Sequence, residues 1–120
     1  MVRIAALVGD IFFIAKIGEM AKQCNSPIEF AAEEKAFLEK IRLSKPDFVV
    51  VDLNAKDIGI LQLPSKIKSI SPRTEVTGFL AHVQTDLKQQ AEEAGYKVYT
   101  RSKFFEELSN ILKNLSASSR

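Results

Sequence analysis

The sequence predicts an α/β domain with one doubly wound parallel sheet and helices on both of its faces. Along the 120 residues, five short apolar or β-branched segments alternate with five segments of helical periodicity, a pattern typical of βαβ units. Residues 48–51 form a run without polar alternation, as expected for a strand buried on both faces. The length, with 46% hydrophobic and 27% charged residues, suits one globular domain.

The first half of the chain predicts three strands and two helices. Asp10 is a plausible N-cap for the first helix, because its carboxylate can accept from free amides of the first turn. Pro46 ends the second helix, since proline disfavours helical backbone in the residue before it. The predicted strands are residues 2–8, 28–31 and 48–51, and the predicted helices are residues 11–23 and 33–44.

The second half continues the alternation. Pro64 is tolerated in a first turn, so the regular part of the third helix is expected to begin near Leu63. Thr85 and Ser102 are predicted N-caps, and Gly95 is predicted to end the fourth helix. The predicted strands are 75–80 and 97–100, and the helices are 60–70, 85–94 and 102–115. We expect one domain over residues 1–115 and a frayed polar tail over 116–120.

Composition excludes several classes of function. Cys24 and His82 are the only residues of their types, so disulfides, cysteine clusters and Ser–His or Cys–His relays are poorly supplied. The net charge of +2 argues against nucleic acid as a partner. The apolar stretch 4–17 is interrupted by charges, cannot span a membrane and lacks a signal-peptide pattern, which favours the cytoplasm.

Two carboxylates follow predicted strands that should be neighbours. Asp10 comes after the first strand and Asp52 ends the third, and ligands of such sheets gather at the carboxyl edge. Together they can hold Mg²⁺ through oxygen ligands, and a carboxylate there can attack a phosphoryl group. The residues alone leave a plainer interpretation open, in which Asp10 only caps a helix and Asp52 only begins a turn.

A family resemblance bears on this choice. The segment 46–53, Pro-Asp-Phe-Val-Val-Val-Asp-Leu, resembles the third-strand signature of response-regulator receiver domains, the CheY-like family. Residues 94–96, Ala-Gly-Tyr, and Phe104 also resemble family positions, and the similarity covers about residues 2–115. It implies a flavodoxin-like sheet of strand order 2-1-3-4-5. It also implies that Asp52 is the phosphoacceptor, and that Asp10, Asp52 and the carbonyl of Asn54 are the metal ligands.

The chain departs from the family pattern around this site. Gly9 stands where the family has the first of two adjacent acids, and Leu80 stands where it has a serine or threonine. Ser102 falls on the family's lysine, with Arg101 and Lys103 on either side. We therefore expect weak Mg²⁺ binding and an atypical receiver that does not switch in the usual way. The candidates for phosphoryl contact are Ala81, Ser102 and Lys103.

The resemblance implies a stand-alone signalling module that acts by binding proteins and is not an enzyme. It predicts little or no phosphorylation of Asp52, with a histidine kinase or a downstream signalling protein as partner and with dimerisation left open. The family's docking face corresponds to residues 85–115, including Tyr99 and Phe104. The alternative is a flavodoxin-like protein that binds a small ligand or cofactor, although no G-x-x-x-x-G-K-[ST] or G-x-G-x-x-G motif occurs.

Overall fold

Strands and helices alternate along the chain in the computed structural model, which describes residues 2–56, 58–81 and 84–118. A 3₁₀ turn, Ile60–Gln62, leads into the third helix. The strands are β1 (Ile4–Leu7), β2 (Ile28–Ala31), β3 (Phe48–Asp52), β4 (Glu75–Leu80) and β5 (Lys97–Thr100). The helices are α1 (Ile11–Gln23), α2 (Glu34–Ser44), α3 (Leu63–Ile70), α4 (Thr85–Ala94) and α5 (Arg101–Ser118).

The five strands form one sheet in the order β2-β1-β3-β4-β5, and every pair is parallel. In the register of the sheet, Val51 of β3 lies between Leu7 of β1 and Gly78 of β4. This architecture confirms the predicted fold class. It also brings the carboxyl ends of β1, β3, β4 and β5 to a common edge, where the loops that follow them can meet.

Strand β3 separates two apolar cores, because successive side chains of a strand point to opposite faces. Val49 and Val51 pack against α2, α3 and α4, whereas Phe48 and Val50 pack against α1 and α5. The first core is completed by Phe37, Ile41, Leu63, Ile67 and Ala91. The second is completed by Ile17, Ala21, Phe104, Leu108 and Leu112.

Two predicted helix ends are confirmed by their hydrogen bonds and backbone angles. Asp10 caps α1, and its Oδ1 accepts from the backbone N–H of Phe12 at 2.8 Å and of Phe13 at 3.3 Å. Gly95 ends α4 in the left-handed region with a φ of 118°, where a side chain would be strained. Among the helices of the described residues, none is both long and apolar enough to cross a bilayer.

Two other predicted caps are wrong. Thr85 is the first residue of α4, and the preceding Gln84 makes no capping side-chain bond. Ser102 is the second residue of α5, because this helix begins at Arg101 directly after β5 without a connecting loop. Helix α5 also continues to Ser118, past the predicted domain end at residue 115. The last two residues of the predicted tail lie outside the described residues.

The close approach of Leu53 to Gly78 gives a test of the packing beneath the carboxyl edge. A Cβ at Gly78 would lie 2.8 Å from Cγ and both Cδ atoms of Leu53, which is buried. We expect Gly78→Ala to lower the free energy of unfolding by about 1–3 kcal/mol, the usual cost of overpacking. Urea denaturation measures this.

Gly9→Ala is the matched control, because its Cβ would meet only the Cβ of Ala32, at 3.8 Å. This variant should be as stable as the parent or slightly more stable, since alanine restricts the unfolded chain. Equal stabilities for Gly78→Ala and Gly9→Ala would contradict the packing described for Leu53.

Candidate functional site

Asp52 and Asp10 both lie at the carboxyl edge of the sheet. Asp52 is the last residue of β3 and continues the alternation of Phe48 and Val50, so it belongs to the face covered by α1 and α5. Asp10 follows β1 at the start of α1. Its negative charge and the positive charge of Arg101 both act on the Asp52 carboxylate. The fold thus gathers two acids and one guanidinium in a single cleft.

The surroundings of Asp52 in this cleft shift the pKa of its carboxyl group. Partial burial raises the pKa of Asp52 above its ordinary value of 3.8, and the negative charge of Asp10 adds to the increase. The backbone N–H of Asn54, which donates to Asp52 Oδ1 at 2.9 Å, and the Arg101 guanidinium oppose it. The charged form of Asp52 is therefore partly compensated, and it remains less favourable than in water.

The side chain of Asn54 connects the loop after β3 to the loop after β4. Its Oδ1 accepts from the backbone N–H of Ala81 at 2.7 Å, and its Nδ2 donates to Oε1 of Gln84 at 2.8 Å. Each of these bonds spans nearly thirty residues of sequence, so the amide is a tertiary clamp and not a local turn. We call this arrangement the Asn54 clamp.

The three candidates for phosphoryl contact lie in different surroundings. The amide of Ala81 is already engaged by the Asn54 clamp. Ser102 is exposed and lines a pocket between α1 and α5. Lys103 is exposed too, and its Nζ lies 3.8 Å from Glu106 and 3.3 Å from Glu107 on the outer surface of α5. The cation that acts on Asp52 is instead Arg101.

Phe104 does not belong to an exposed partner face, and its assignment there was wrong. Its side chain is fully buried and stacks on Phe79 of β4, with ring centroids 5.2 Å apart and ring planes 16° from parallel. Phe104 shares one face of α5 with Leu108 and Leu112, and this face packs on the sheet. Tyr99 is half-buried, and its ring centroid lies 6.1 Å from that of Phe104.

Sequence reasoning missed two side chains of this region. It assigned Asn54 only a backbone role, because the partners of its amide come from a distant loop. It placed Phe105 on the apolar face of the last helix and gave it no role at a surface, although its ring forms a wall of the pocket between α1 and α5. The adjacent pair Phe104-Phe105 was the available signal, since neighbouring helical residues face different directions. The predicted loop residue His82 lies outside the described residues.

The cleft has few acidic side chains that could ligate a metal ion. Across the described ranges, no group of three or more His, Cys, Asp or Glu side chains is placed to hold one. The cleft offers two carboxylates, Asp10 and Asp52. Carboxylate oxygens are hard donors, and Mg²⁺ in proteins is commonly held by one or two carboxylates and several waters. The chemistry of the donors therefore fits Mg²⁺, with fewer charges than a three-acid site provides.

The charges around Asp52 predict how its titration responds to substitution. We expect the pKa of Asp52 to fall in Asp10→Asn, which removes a negative charge, and to rise further in Arg101→Gln, which removes a positive one. Titration of the Asp52 carboxyl carbon by NMR measures both shifts. Two variants that move the pKa in the same direction would contradict the arrangement of the cleft.

The same perturbation makes stability depend on pH. Because the folded chain binds the Asp52 proton more tightly than the unfolded chain, stability falls as the pH rises from 3.8 through the higher folded pKa. We expect Asp52→Asn to remove this loss, since an amide oxygen can still accept from Asn54. Asp52→Asn should therefore have a higher melting temperature than the parent at neutral pH, and this difference should shrink at acidic pH.

Comparisons with known proteins agree on the architecture. No protein-family model and no curated protein sequence matches the chain. A response regulator from Hahella chejuensis is 17% identical, with a TM-score of 0.83 over 96% of this chain and 95% of its own. A response regulator receiver domain protein from Clostridium thermocellum is 16% identical, with a TM-score of 0.84 over 99% and 97%.

The receiver domain of a sensor histidine kinase from Pseudomonas aeruginosa has a similar fold. It is 13% identical, with a TM-score of 0.81 over 95% of this chain and 96% of its own, and its structure has a magnesium ion coordinated in the active-site cleft. These three structures share the parallel sheet and the flanking helices over nearly their whole lengths. The chain therefore has the fold of response-regulator receiver domains.

Proposed function

We propose that this protein is a receiver-fold signalling module that binds protein partners through a preformed surface, largely without phosphorylation of Asp52. The observation that carries the proposal is the Asn54 clamp. In the receiver family, the loop after the fourth strand responds to a phosphoryl group through a serine or threonine. Here the corresponding residues are Leu80 and Ala81, and an asparagine side chain makes the connection between the loops without any phosphate.

The clamp occupies the groups that a phosphoryl oxygen would use. The backbone N–H of Ala81 has one hydrogen to donate, and Asn54 Oδ1 already accepts it at 2.7 Å. Leu80 is buried and has no hydroxyl. A phosphoryl group on Asp52 would have to displace the amide, so it would exchange one hydrogen bond for another and gain less than at an open site.

The other helpers of phosphoryl transfer are weakened as well. Gly9 supplies no carboxylate, and Lys103 pairs with acids of its own helix. Asp10, Asp52 and the backbone carbonyl of Asn54 remain as the groups that would hold Mg²⁺. When bound, the ion would neutralise charge on an incoming phosphoryl group. Arg101 places a positive charge near Asp52 in any case, which lowers the attraction of the cleft for a second cation.

The proposed partners are a histidine kinase or a downstream signalling protein, and a second copy of the chain is a further possibility that the fold family suggests. Of the two aromatic residues named for the predicted docking face, Tyr99 can contact a partner, because it is half-buried at the edge strand β5. Lys97 lies on the same strand, with its Nζ 5.8 Å from the Tyr99 ring. This edge offers an aromatic and a positive group to a partner.

The Asn54 clamp gives a direct test of the preformed shape. We expect Asn54→Ala to lower the free energy of unfolding by about 1–2 kcal/mol and to speed exchange of the Ala81 amide about tenfold. Gln84→Ala is the matched control, because it removes only the second bond of the clamp and leaves the Ala81 amide with its acceptor. Hydrogen exchange measured by NMR distinguishes them, and equal exchange in both variants would argue against the clamp.

Phosphorylation is tested with acetyl phosphate and Mg²⁺, followed by intact-mass measurement. We expect the unmodified mass to remain dominant, because the Ala81 amide is engaged and two of the family's charged helpers are missing. A stable phosphate adduct that disappears in Asp52→Asn would overturn the proposal of a phosphorylation-independent module.

A second experiment restores the acid that Gly9 replaces and tests whether Mg²⁺ binding increases. A side chain at Gly9 has room, since its Cβ would meet only Ala32, at an ordinary contact distance of 3.8 Å. We expect Gly9→Asp to bind Mg²⁺ about tenfold more tightly than Gly9→Asn, which has the same size without the charge. Isothermal titration with Mg²⁺ measures the difference. Equal affinities would show that the cleft is not the metal site.

A further inference from the structure

A pocket of about 480 Å³ lies between the first turns of α1 and α5. Its walls are mostly aromatic: Phe12 and Phe13 from α1 face Phe105 from α5. The end of β5 forms its floor through Thr100, and Ser102 adds a hydroxyl at the rim. We call this site the α1–α5 pocket. It shares the end of β5 and the start of α5 with the predicted docking face, and Arg101 connects it to the cleft that contains Asp52.

Two cations lie on the aromatic walls. The Lys16 ammonium is 4.5 Å from the Phe105 ring centroid, and the Arg101 guanidinium carbon is 4.6 Å from the Phe13 ring centroid. Neither an aspartate nor a glutamate is among the described residues that line the pocket. Its walls thus combine apolar surface with two positive groups, of which Arg101 also acts on Asp52, and this combination is complementary to an anionic group attached to an apolar one.

Arg101 also has an unsatisfied donor. Its Nε is buried and has no hydrogen-bond acceptor among the described residues. A buried donor without a partner is costly, and a carboxylate is the acceptor that pairs best with a guanidinium. An occupant whose carboxylate draws the guanidinium out of its buried position would satisfy the donor.

The apolar surface extends beyond the pocket onto the start of α1. Ile11 is 74% exposed and Phe12 is 79% exposed, although large apolar side chains at neighbouring positions are usually covered by packing. Ile11 is not among the residues that line the pocket, so a small molecule inside the pocket would leave this side chain uncovered. A polypeptide segment can cover both, which favours a protein as the occupant.

We propose that the α1–α5 pocket binds a segment of a partner protein in which an apolar or aromatic side chain is flanked by aspartate or glutamate. The apolar side chain lies in the pocket against Phe12 and the contacting rings of Phe13 and Phe105, and the flanking carboxylates pair with Lys16 and Arg101. This inference rests on the proposed role as a protein-binding module, and it names the surface and the chemistry of the partner.

The test uses a random peptide library displayed on phage and selected against the immobilised full chain. We expect enriched peptides to contain an apolar or aromatic residue beside acidic residues. One enriched peptide is then labelled, and its affinity is measured by fluorescence anisotropy. We expect Phe12→Ser and Lys16→Glu each to weaken binding at least about tenfold, and the same peptide with asparagine and glutamine in place of its acids to bind correspondingly weakly.

Two matched controls distinguish binding in the pocket from nonspecific hydrophobic or electrostatic binding. Leu43→Ser removes a side chain that is as exposed as Phe12 but lies on α2, and Lys22→Glu reverses an exposed charge on α1 outside the pocket. Both should bind the peptide like the parent. No enrichment, a consensus without acids, or equal losses in the control variants would overturn the inference.

Two other occupants would overturn it as well. A concentration-dependent dimer in sedimentation equilibrium that is lost in Phe12→Ser would assign the pocket to a second copy of the chain. A small anion retained by the purified protein in native mass spectrometry and lost in Lys16→Glu would assign it to a metabolite. These outcomes are independent of the acetyl phosphate experiment, so a phosphorylated Asp52 would contradict the proposed function without contradicting the pocket.

Discussion

Burial of β3 on both of its faces is the constraint on which the rest of the molecule depends. The side chains of residues 48–51 are all buried, and they divide alternately between the two cores. Both faces of the strand must therefore be covered, and parallel neighbours can be reached only through crossover helices. The helices meet this requirement, with α1 and α5 on one side of the sheet and α2, α3 and α4 on the other.

The same alternation determines what the cleft contains. Asp52 continues the side of β3 that faces α1 and α5, so its neighbours come from the starts of those two helices: Asp10 and Arg101. Leu53 takes the opposite side and packs over Gly78. Asp52 and the Asn54 clamp therefore lie at the end of β3. Apolar packing of Leu53 fixes this strand end on one side, and the bond from the Asn54 backbone to Asp52 fixes it on the other.

Local chemistry made much of the fold predictable. The strand 75–80 and the helix 11–23 were correct in their bounds because each has its own signal: a continuous β-rich run in the first case and an N-cap with helical spacing in the second. The start of α5 was missed because its sequence offers Ser102 as a better cap than Thr100, and only the direct continuation from β5 makes Arg101 the first helical residue. The assignment of Phe104 to the docking face came from the family resemblance, and the spacing of Phe104 with Leu108 and Leu112 was the sequence signal for its burial.

The site residues that follow strand ends could be predicted from the sequence, whereas the contacts between distant loops could not. Asp10 and Asp52 each follow a strand, so parallel topology alone brings them to one edge. The bonds of Asn54 to Ala81 and Gln84 depend on the path of two loops that are distant in sequence, and no local pattern encodes that path. Whether Arg101 or Lys103 faces the acids depends on how α5 continues from β5, and the sequence left both residues as candidates.

Arg101 lies between the cleft and the α1–α5 pocket, and its single guanidinium contributes to both. The same group acts on Asp52 and covers the ring of Phe13. A ligand that moved this guanidinium at either site would therefore change the charge or the aromatic contact at the other. Thermodynamic linkage then requires that two such ligands change each other's affinity by the same factor.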